Sequence, residues 1–326
     1  MNAGTPSPEF LQVFSAQADV TGMMPFERLM RLALYDESVG YYRQPRQRVG
    51  YAPGTDFFTS STSGPIFGEL VCAAATRLLG SRKIAEHTFV ELGAENGRGV
   101  LDGIQHPFAA VRTIAVGEPY ALSGPCVVFS NELFDAQPFR RFRHRAGGWR
   151  ELGVRLDSGR LVECELPDAP DLPGVLPTTS GEGYVIDAPL AAAELARDIA
   201  AQPWSGLFLA CDYGKLWREL AEAVPGGTAR AYFRHTQTNE LLERPGQQDL
   251  TCHVCWDWLQ AALTSHGFSE IGLDSQESFF IHNAESYIAP AIAADAARFT
   301  PRKQALLQLL HGSQLGQRFQ VLHGLR

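Results

Sequence analysis

The sequence predicts an α/β fold built on a largely parallel sheet, and three observations carry that prediction. Short apolar runs rich in β-branched residues recur as HTFVEL (87–92), VRTIAVG (111–117), CVVFS (126–130) and GLFLACDYG (206–214), lengths that suit buried strands. Segments of helical periodicity lie among them. The first run empties into FVELGAENGRG (89–99), a glycine-punctuated loop of the kind that receives a nucleotide at the carboxyl end of such a sheet.

Taken in order, PFERLMRLALYD (25–36) puts Phe26, Leu29, Met30, Ala33 and Leu34 on one face behind a proline, which predicts a helix. Residues 40–64, GYYRQPRQRVGYAPGTDFFTSSTSG, are polar and rich in Gly, Pro, Ser and Thr, and connections of that length are often functional. PIFGELVCAAATRLLG (65–80) reads as a second helix, nearly apolar and therefore buried. These elements predict an N-terminal helical flap over 1–82, ahead of a core over 83–326.

FRRFRHRAGGWRELGVRLDSGRLVECEL (139–166) changes character, with three alternating segments joined by Gly147-Gly148 and Ser158-Gly159. With the Pro-rich connector 167–177 it is expected to form an antiparallel β insertion at about 138–183. Its Arg140, Arg141, Arg143, Arg145, Arg150 and Arg155 are either a solvated strand face or a docking face for an acidic partner. After Tyr184 the α/β rhythm resumes, with a helix near 189–202, the strand at 206–214, a short helix near 215–223 and a strand at 228–235. A polar loop (236–250), a helix at 256–267, FSEIGLD, the helix-like PRKQALLQLLHG and a final RFQVLHGL complete the chain.

At 326 residues, 45% hydrophobic and 20% charged, the chain can bury a full core. A net charge of −8 and a pI near 5.6 argue against bulk electrostatic binding of nucleic acid, which leaves a small molecule or a protein as the expected partner. The opening, MNAGTPSPEFLQVFSAQADV, has neither the basic and apolar regions of a signal peptide nor the arginines of a presequence. With six cysteines in apolar contexts, that predicts a reducing cytoplasm. No apolar run reaches about 18 residues, so no membrane-spanning helix is expected. CHVC (252–255) lacks the second ligand pair of a closed zinc site and alternates like a strand, so core packing and no metal are expected.

Glu95 stands in the loop where a middle glycine is usual, beside Gly93, Gly97 and Gly99. A carboxylate there would repel the pyrophosphate of NAD or FAD at a helix N-terminus, which disfavours a dehydrogenase. S-adenosylmethionine has no phosphate and carries a positive sulfonium and ammonium, so an acidic loop suits it. A ribose partner is expected about 20 residues on as an acid ending the next strand, and Glu118 fits. Only residues 119–125 then precede the next strand, too few for an ordinary parallel crossover. Either those two strands are not neighbours or Glu118 is a plain loop acid.

Together, GYYRQ and GTDFFTSSTSGPIFGEL (within 40–70), FVELGAENGRG, SNELFDAQPFRRF (130–142), LACDYG (209–214), PGQQDLTCHV (245–254) and RFQVL (318–322) resemble the MidA-like methyltransferases, in the family's order. The resemblance implies a Rossmann-like, S-adenosylmethionine-dependent fold. In the family's best-known member it implies transfer to an arginine of a respiratory-complex subunit. Carried over by position, Glu91, Gly93, Ala94 and Gly97 look like the cofactor loop, Glu118 like the ribose acid, and Asn131, Glu132 and Asp135 like the stretch after the fourth strand. Thr55, Asp56, Phe57, Thr59 and Ser60 match the Gly-Asp-Phe-x-Thr-Ser segment, with Thr55 in place of the glycine. Glu95 for glycine, Ser61 for proline and the shortened stretch around Glu118 are departures.

Methyl transfer from a sulfonium is an in-line displacement that depends mainly on placing the acceptor. A guanidinium acceptor needs carboxylates to hold and polarise it. Glu132 and Asp135, three apart, would share one face of a helical turn and grip it; alternatively they cap the turn. Asp56 with Thr59 and Ser60 would close over the substrate or form an Asx-type turn. Asp212 and Tyr213 end another strand, where crevices form but solvated termini are equally ordinary. The expected function is methylation of a protein side chain, arginine favoured. The alternative is a degenerate methyltransferase fold kept as a non-catalytic protein-binding or assembly scaffold, and a nicotinamide oxidoreductase is the weakest reading.

Overall fold

The four apolar runs become the parallel part of a six-stranded sheet in the computed structural model, which describes residues 5–50, 54–56, 60–94, 98–168, 175–294, 298, 300–311 and 315–326. From edge to edge the order is Ser269–Ser275, Gln320–Leu325, Trp204–Asp212, Gly124–Asn131, Thr88–Ala94 and Ala110–Ala115. The last four are mutually parallel, and Gln320–Leu325 runs antiparallel to both its neighbours. Expectation and structure therefore agree on a mixed α/β fold with one large sheet.

The short connection is explained by this order. Thr88–Ala94 lies between the two strands that 116–123 join, so those strands are not neighbours. Residues 118–123 carry no helix or turn. Eight extended residues reach roughly 27 Å, enough to run back along a six-residue strand but not enough to include a helix. In the other crossover the described residues 98–109 contain no helix, with a turn at 100–103 and a bend at 104.

A helix from earlier in the chain does the covering. Pro65–Leu79 starts with proline at its first turn, ends at Gly80 with φ 59°, and buries Ile66, Phe67, Leu70 and Val71 in one core with Phe89, Phe129, Leu207 and Leu209 of the sheet. Each fully buried side chain of that size contributes about 1.5–3 kcal/mol. Three later helices, Gln276–Asn283, Glu285–Ala294 and Pro301–Leu310, add Phe279, Phe280, Ile288, Leu306 and Leu309 to the same core.

Contacts group the chain into two units, Met1–Phe57 with Phe134–Glu194 and Lys215–Trp258, and Phe58–Leu133 with Leu195–Gly214 and Leu259–Arg326. The second holds the large sheet. The sequence predicts a boundary at 82; by contacts the Pro65–Leu79 helix groups with the sheet, and the segment up to Phe57 groups with the antiparallel strands. In the first unit Arg140–Arg145, Gly148–Asp157 and Arg160–Glu165 are antiparallel strands, joined by Met23–Pro25 and Val185–Ala188. Helices Pro8–Gln17 and Phe26–Tyr35 lay Phe10, Phe14, Leu29 and Met30 against Phe139, Val154 and Leu161.

Five of the six arginines noted in these strands pair with acids within the unit. Arg140 pairs with Glu151, Arg141 with Glu163 and Asp187, Arg143 with Glu163, Arg145 with Glu165 and Glu182, and Arg155 with Asp157. Acids on neighbouring strands thus take up most of the basic face that the sequence offered as a possible dock. No helix among the described residues is long and apolar enough to cross a membrane.

Candidate functional site

The carboxyl ends of three adjacent parallel strands bring together Gly93 and Ala94, Asn131 and Glu132, and Asp212 and Tyr213. That placement follows from register, since Leu92 pairs with Ser130 and Asn131 with Cys211. Gly93 is the extra residue of a bulge: Leu92 pairs with Ile114 and Ala94 with Ala115, and the glycine between takes φ 79°. A Cβ there would lie 2.8 Å from Leu133 Cδ1. Ala94 is buried. Gly97, like Glu95, lies outside the described residues, as does Thr59.

Glu91 braces the loop from inside the sheet. Its carboxylate is 7% exposed and accepts the Val100 N–H at 2.6 Å. Gly99 makes room for it, because a Cβ there would stand 2.9 Å from Glu91 Oε2 and 2.8 Å from Thr113 Oγ1. Gly68, on the covering helix, does the same for the loop backbone, its absent Cβ clearing the Val100 carbonyl by a virtual distance of 2.2 Å. Burial raises the Glu91 pKa to about 7, and Asp102 adds to the rise while the Val100 N–H opposes it.

The sign of the resulting pH dependence is fixed. A carboxyl whose folded pKa lies above its unfolded one favours folding below the unfolded value, about 4.5, and that contribution is lost as pH rises through about 7. Urea unfolding between pH 5 and pH 8 is expected to show a loss of roughly 2 kcal/mol attributable to this group. Glu91→Gln is expected to flatten that part of the profile; an unchanged profile would mean the carboxyl titrates normally.

Glu118 follows the edge strand, is exposed, and its carboxylate accepts the Ala115 N–H at 3.0 Å. Because Ala115 pairs with Ala94, Glu118 lies just beyond the strand end next to the loop.

Glu132 requires a correction. The i,i+3 spacing predicts a helical turn over 132–135, but these residues form bends and a turn, and Glu132 takes the left-handed φ of 52°. A non-glycine residue there carries about 1–2 kcal/mol of strain, of the kind that collects at functional strand ends. Its N–H donates to the Cys211 carbonyl at 2.9 Å. Asn131 Nδ2 donates to its Oε1 at 3.1 Å, and the Tyr213 hydroxyl to its Oε2 at 3.3 Å. Tyr213 in turn packs on Phe319 with ring centroids 4.1 Å apart. Asp135 is buried in the first unit, where its carbonyl accepts the Cys252 N–H at 2.9 Å. Asp212 is fully buried, and its carboxylate accepts the Tyr213 N–H at 2.8 Å.

Asp56 and Ser60 fall in different units. Asp56 is fully buried, accepting the Tyr41 hydroxyl at 2.7 Å, Arg46 at 2.6 Å and the Arg234 N–H at 2.9 Å. Ser60 donates to Gln276 Oε1 at 2.9 Å, and Gln276 is itself tied to the Leu309 carbonyl at 3.0 Å. A cavity of about 650 Å³ lies within the first unit, but its charged lining mixes Arg141 and Arg160 with Glu163, Glu240 and Glu243 and includes no strand-end residue.

The strand ends fit a phosphate-free, donor-bearing nucleoside. Asn131 Oδ1, a buried acceptor, and Ser130 Oγ, a buried hydroxyl, have no hydrogen-bond partner among the described residues, and a ligand bearing N–H or O–H groups would satisfy them. Residues 98–109 offer no helix N-terminus, the element on which a pyrophosphate is normally held. Glu132 and Asp212 make the surroundings acidic. The sequence assigns no role to Gly68, Gly99, Ser130 or Phe319, although each lies in a stretch that carries the family resemblance.

Comparison with known proteins agrees with this geometry. Residues 101–273 match the family described as "Putative S-adenosyl-L-methionine-dependent methyltransferase". Over 95% of the chain and 85% of the relative, the sequence is 24% identical to "Protein arginine methyltransferase NDUFAF7, mitochondrial" of Danio rerio. A COG1565 superfamily protein of Burkholderia thailandensis, solved bound to S-adenosyl-homocysteine, superposes with a TM-score of 0.83 at 25% identity, covering 100% of this chain and 95% of that one. A second structure from that superfamily and organism superposes at 0.80 and 24% identity with the same coverage, a likeness of fold.

Proposed function

The chain belongs to the S-adenosyl-L-methionine-dependent methyltransferase family that its residues 101–273 match, and from that premise we propose that it methylates a protein side chain, arginine before others. The cofactor, when bound, supplies an electrophilic methyl on a sulfonium; the residues of this chain bind, orient and balance charge. Gly93 takes the positive φ of the bulge, Gly99 leaves room for the Glu91 carboxyl, and Glu91 braces the loop through Val100. Ser130 Oγ and Asn131 Oδ1 are available to N–H and O–H donors. The acids at the strand ends match a cation and would oppose a phosphate.

The observation that carries the acceptor is the Glu132 carboxylate, set on a left-handed backbone at the carboxyl end of a central strand. A guanidinium is a poor nucleophile while fully charged and solvated, and a carboxylate that accepts two of its N–H groups orients one nitrogen and draws positive charge away from it. A carboxylic acid acceptor would be repelled there. The Danio rerio relative, a protein arginine methyltransferase by name, supports the same reading.

Labelled-methyl transfer into a cofactor-depleted cell extract, followed by acid hydrolysis of the protein, identifies the acceptor. Label is expected as methylarginine, and Glu132→Gln is expected to lower it at least about tenfold while S-adenosylhomocysteine still binds. Label recovered on lysine, on carboxyl groups or off protein altogether would remove arginine from the proposal.

A further inference from the structure

Both carboxylate oxygens of Glu132 accept hydrogen bonds, and the donors come from two different strand ends: Asn131 Nδ2 on Oε1 and the Tyr213 hydroxyl on Oε2. We propose that Asn131 and Tyr213 are positioning residues that fix the Glu132 carboxylate toward the methyl acceptor, with Phe319 fixing Tyr213. The proposal rests on the role given to Glu132 above.

Three features support it. The carboxylate orients the Asn131 amide, since only its NH2 group can face Glu132; Oδ1 must therefore point away, and it is buried with no protein donor. Asn131 thus links the carboxylate to an acceptor that awaits a ligand. Second, a glutamate held only by its own rotamers would sample several orientations. Here the Tyr213 phenol, held at 4.1 Å between ring centroids from Phe319 with the rings tilted by 35°, limits it from the neighbouring strand end. Third, the Tyr213 hydroxyl reaches Glu132 Oε2 at 3.3 Å from beyond the end of the neighbouring strand, while Asn131 reaches Oε1, so the two carboxylate oxygens are tied to two different strand ends.

The test separates the acceptor end from the cofactor end with two probes, S-adenosylhomocysteine and sinefungin, whose primary amine stands where the sulfonium methyl would. Calorimetric titration of the wild type is expected to show sinefungin bound about tenfold more tightly, the size of one charge-assisted hydrogen bond to a fixed carboxylate. Tyr213→Phe keeps the ring on Phe319 and is expected to remove most of that preference, leaving S-adenosylhomocysteine affinity within about twofold. Glu132→Gln is expected to do the same. Loss of affinity for both probes alike in Tyr213→Phe would make the tyrosine structural and overturn the proposal, and so would a preference that survives the substitution. A wild type that binds S-adenosylhomocysteine but shows no preference for the amine would place Glu132 away from the acceptor. No binding of either probe to the wild type would instead sink the cofactor site itself.

Discussion

Gly93→Val is expected to weaken S-adenosylhomocysteine binding more than about 100-fold, close to 3 kcal/mol, while the protein stays folded. The effect comes from the backbone. Gly93 holds φ 79° at a bulge, where a β-branched residue is a true outlier, so valine must move the chain between Leu92 and Ala94 out of its bulged register. The steric part is smaller, because the clash at 2.8 Å is with the flexible end of Leu133. Alanine at the same place should therefore fall between glycine and valine. The fold should survive because the strand's buried residues, Phe89, Val90 and Leu92, precede the bulge. Calorimetric titration beside a thermal melt checks both halves. A valine variant that binds within about threefold of the wild type would move the cofactor away from this loop.

Much of the architecture was legible because burial leaves a strong local mark. The runs ending at Leu92, Ser130 and Asp212 are apolar on both faces, as strands covered on both sides must be, and each was found. The alternating segments of 139–166 were equally plain, since Gly-Gly and Ser-Gly are turn chemistry. The helices Gln276–Asn283 and Glu285–Ala294 were not foreseen, and their sequence explains why: apolar periodicity is faint and Pro290 sits inside the second. What surrounds the site was less legible still. Nothing local says that Gly68 faces Val100, that Phe319 backs Tyr213, or that Asp56 is a buried node and not a surface lid residue, because those partners are many residues away in the chain. The i,i+3 argument for Glu132 and Asp135 failed for a related reason: it assumed helical backbone where the strand end bends into the left-handed region. The short 119–125 segment was readable only as a choice between two alternatives, and strand order decides it.

Asp187→Ala is expected to destabilise the first unit by about 3–5 kcal/mol, the cost of breaking a buried charge pair from one side. Asp187 is 2% exposed on the strand Val185–Ala188. One oxygen accepts Arg141 Nη1 at 2.5 Å, and the other accepts the N–H groups of Thr228 and Ala229 at 2.7 and 2.8 Å. Gly227, with φ 73°, lets the turn wrap that closely, since a Cβ would lie 2.3 Å from the carboxylate. Truncation therefore leaves two backbone donors without their acceptor and a mostly buried guanidinium with only Glu163 to balance it. Asparagine should recover part of the loss, because its amide oxygen can serve either the guanidinium or the turn but not both. Replacing Arg141 and Asp187 together by leucine and alanine should cost less than the sum of the single changes, as the unpaired charge disappears with its partner. Hydrogen exchange over Arg140–Arg145 and Val185–Ala188, with urea unfolding followed by tryptophan fluorescence, measures the effect. A loss below about 1 kcal/mol for Asp187→Ala would mean that water replaces the carboxylate, and that the chain's three-way contact among strand, arginine and turn is solvated, not sealed.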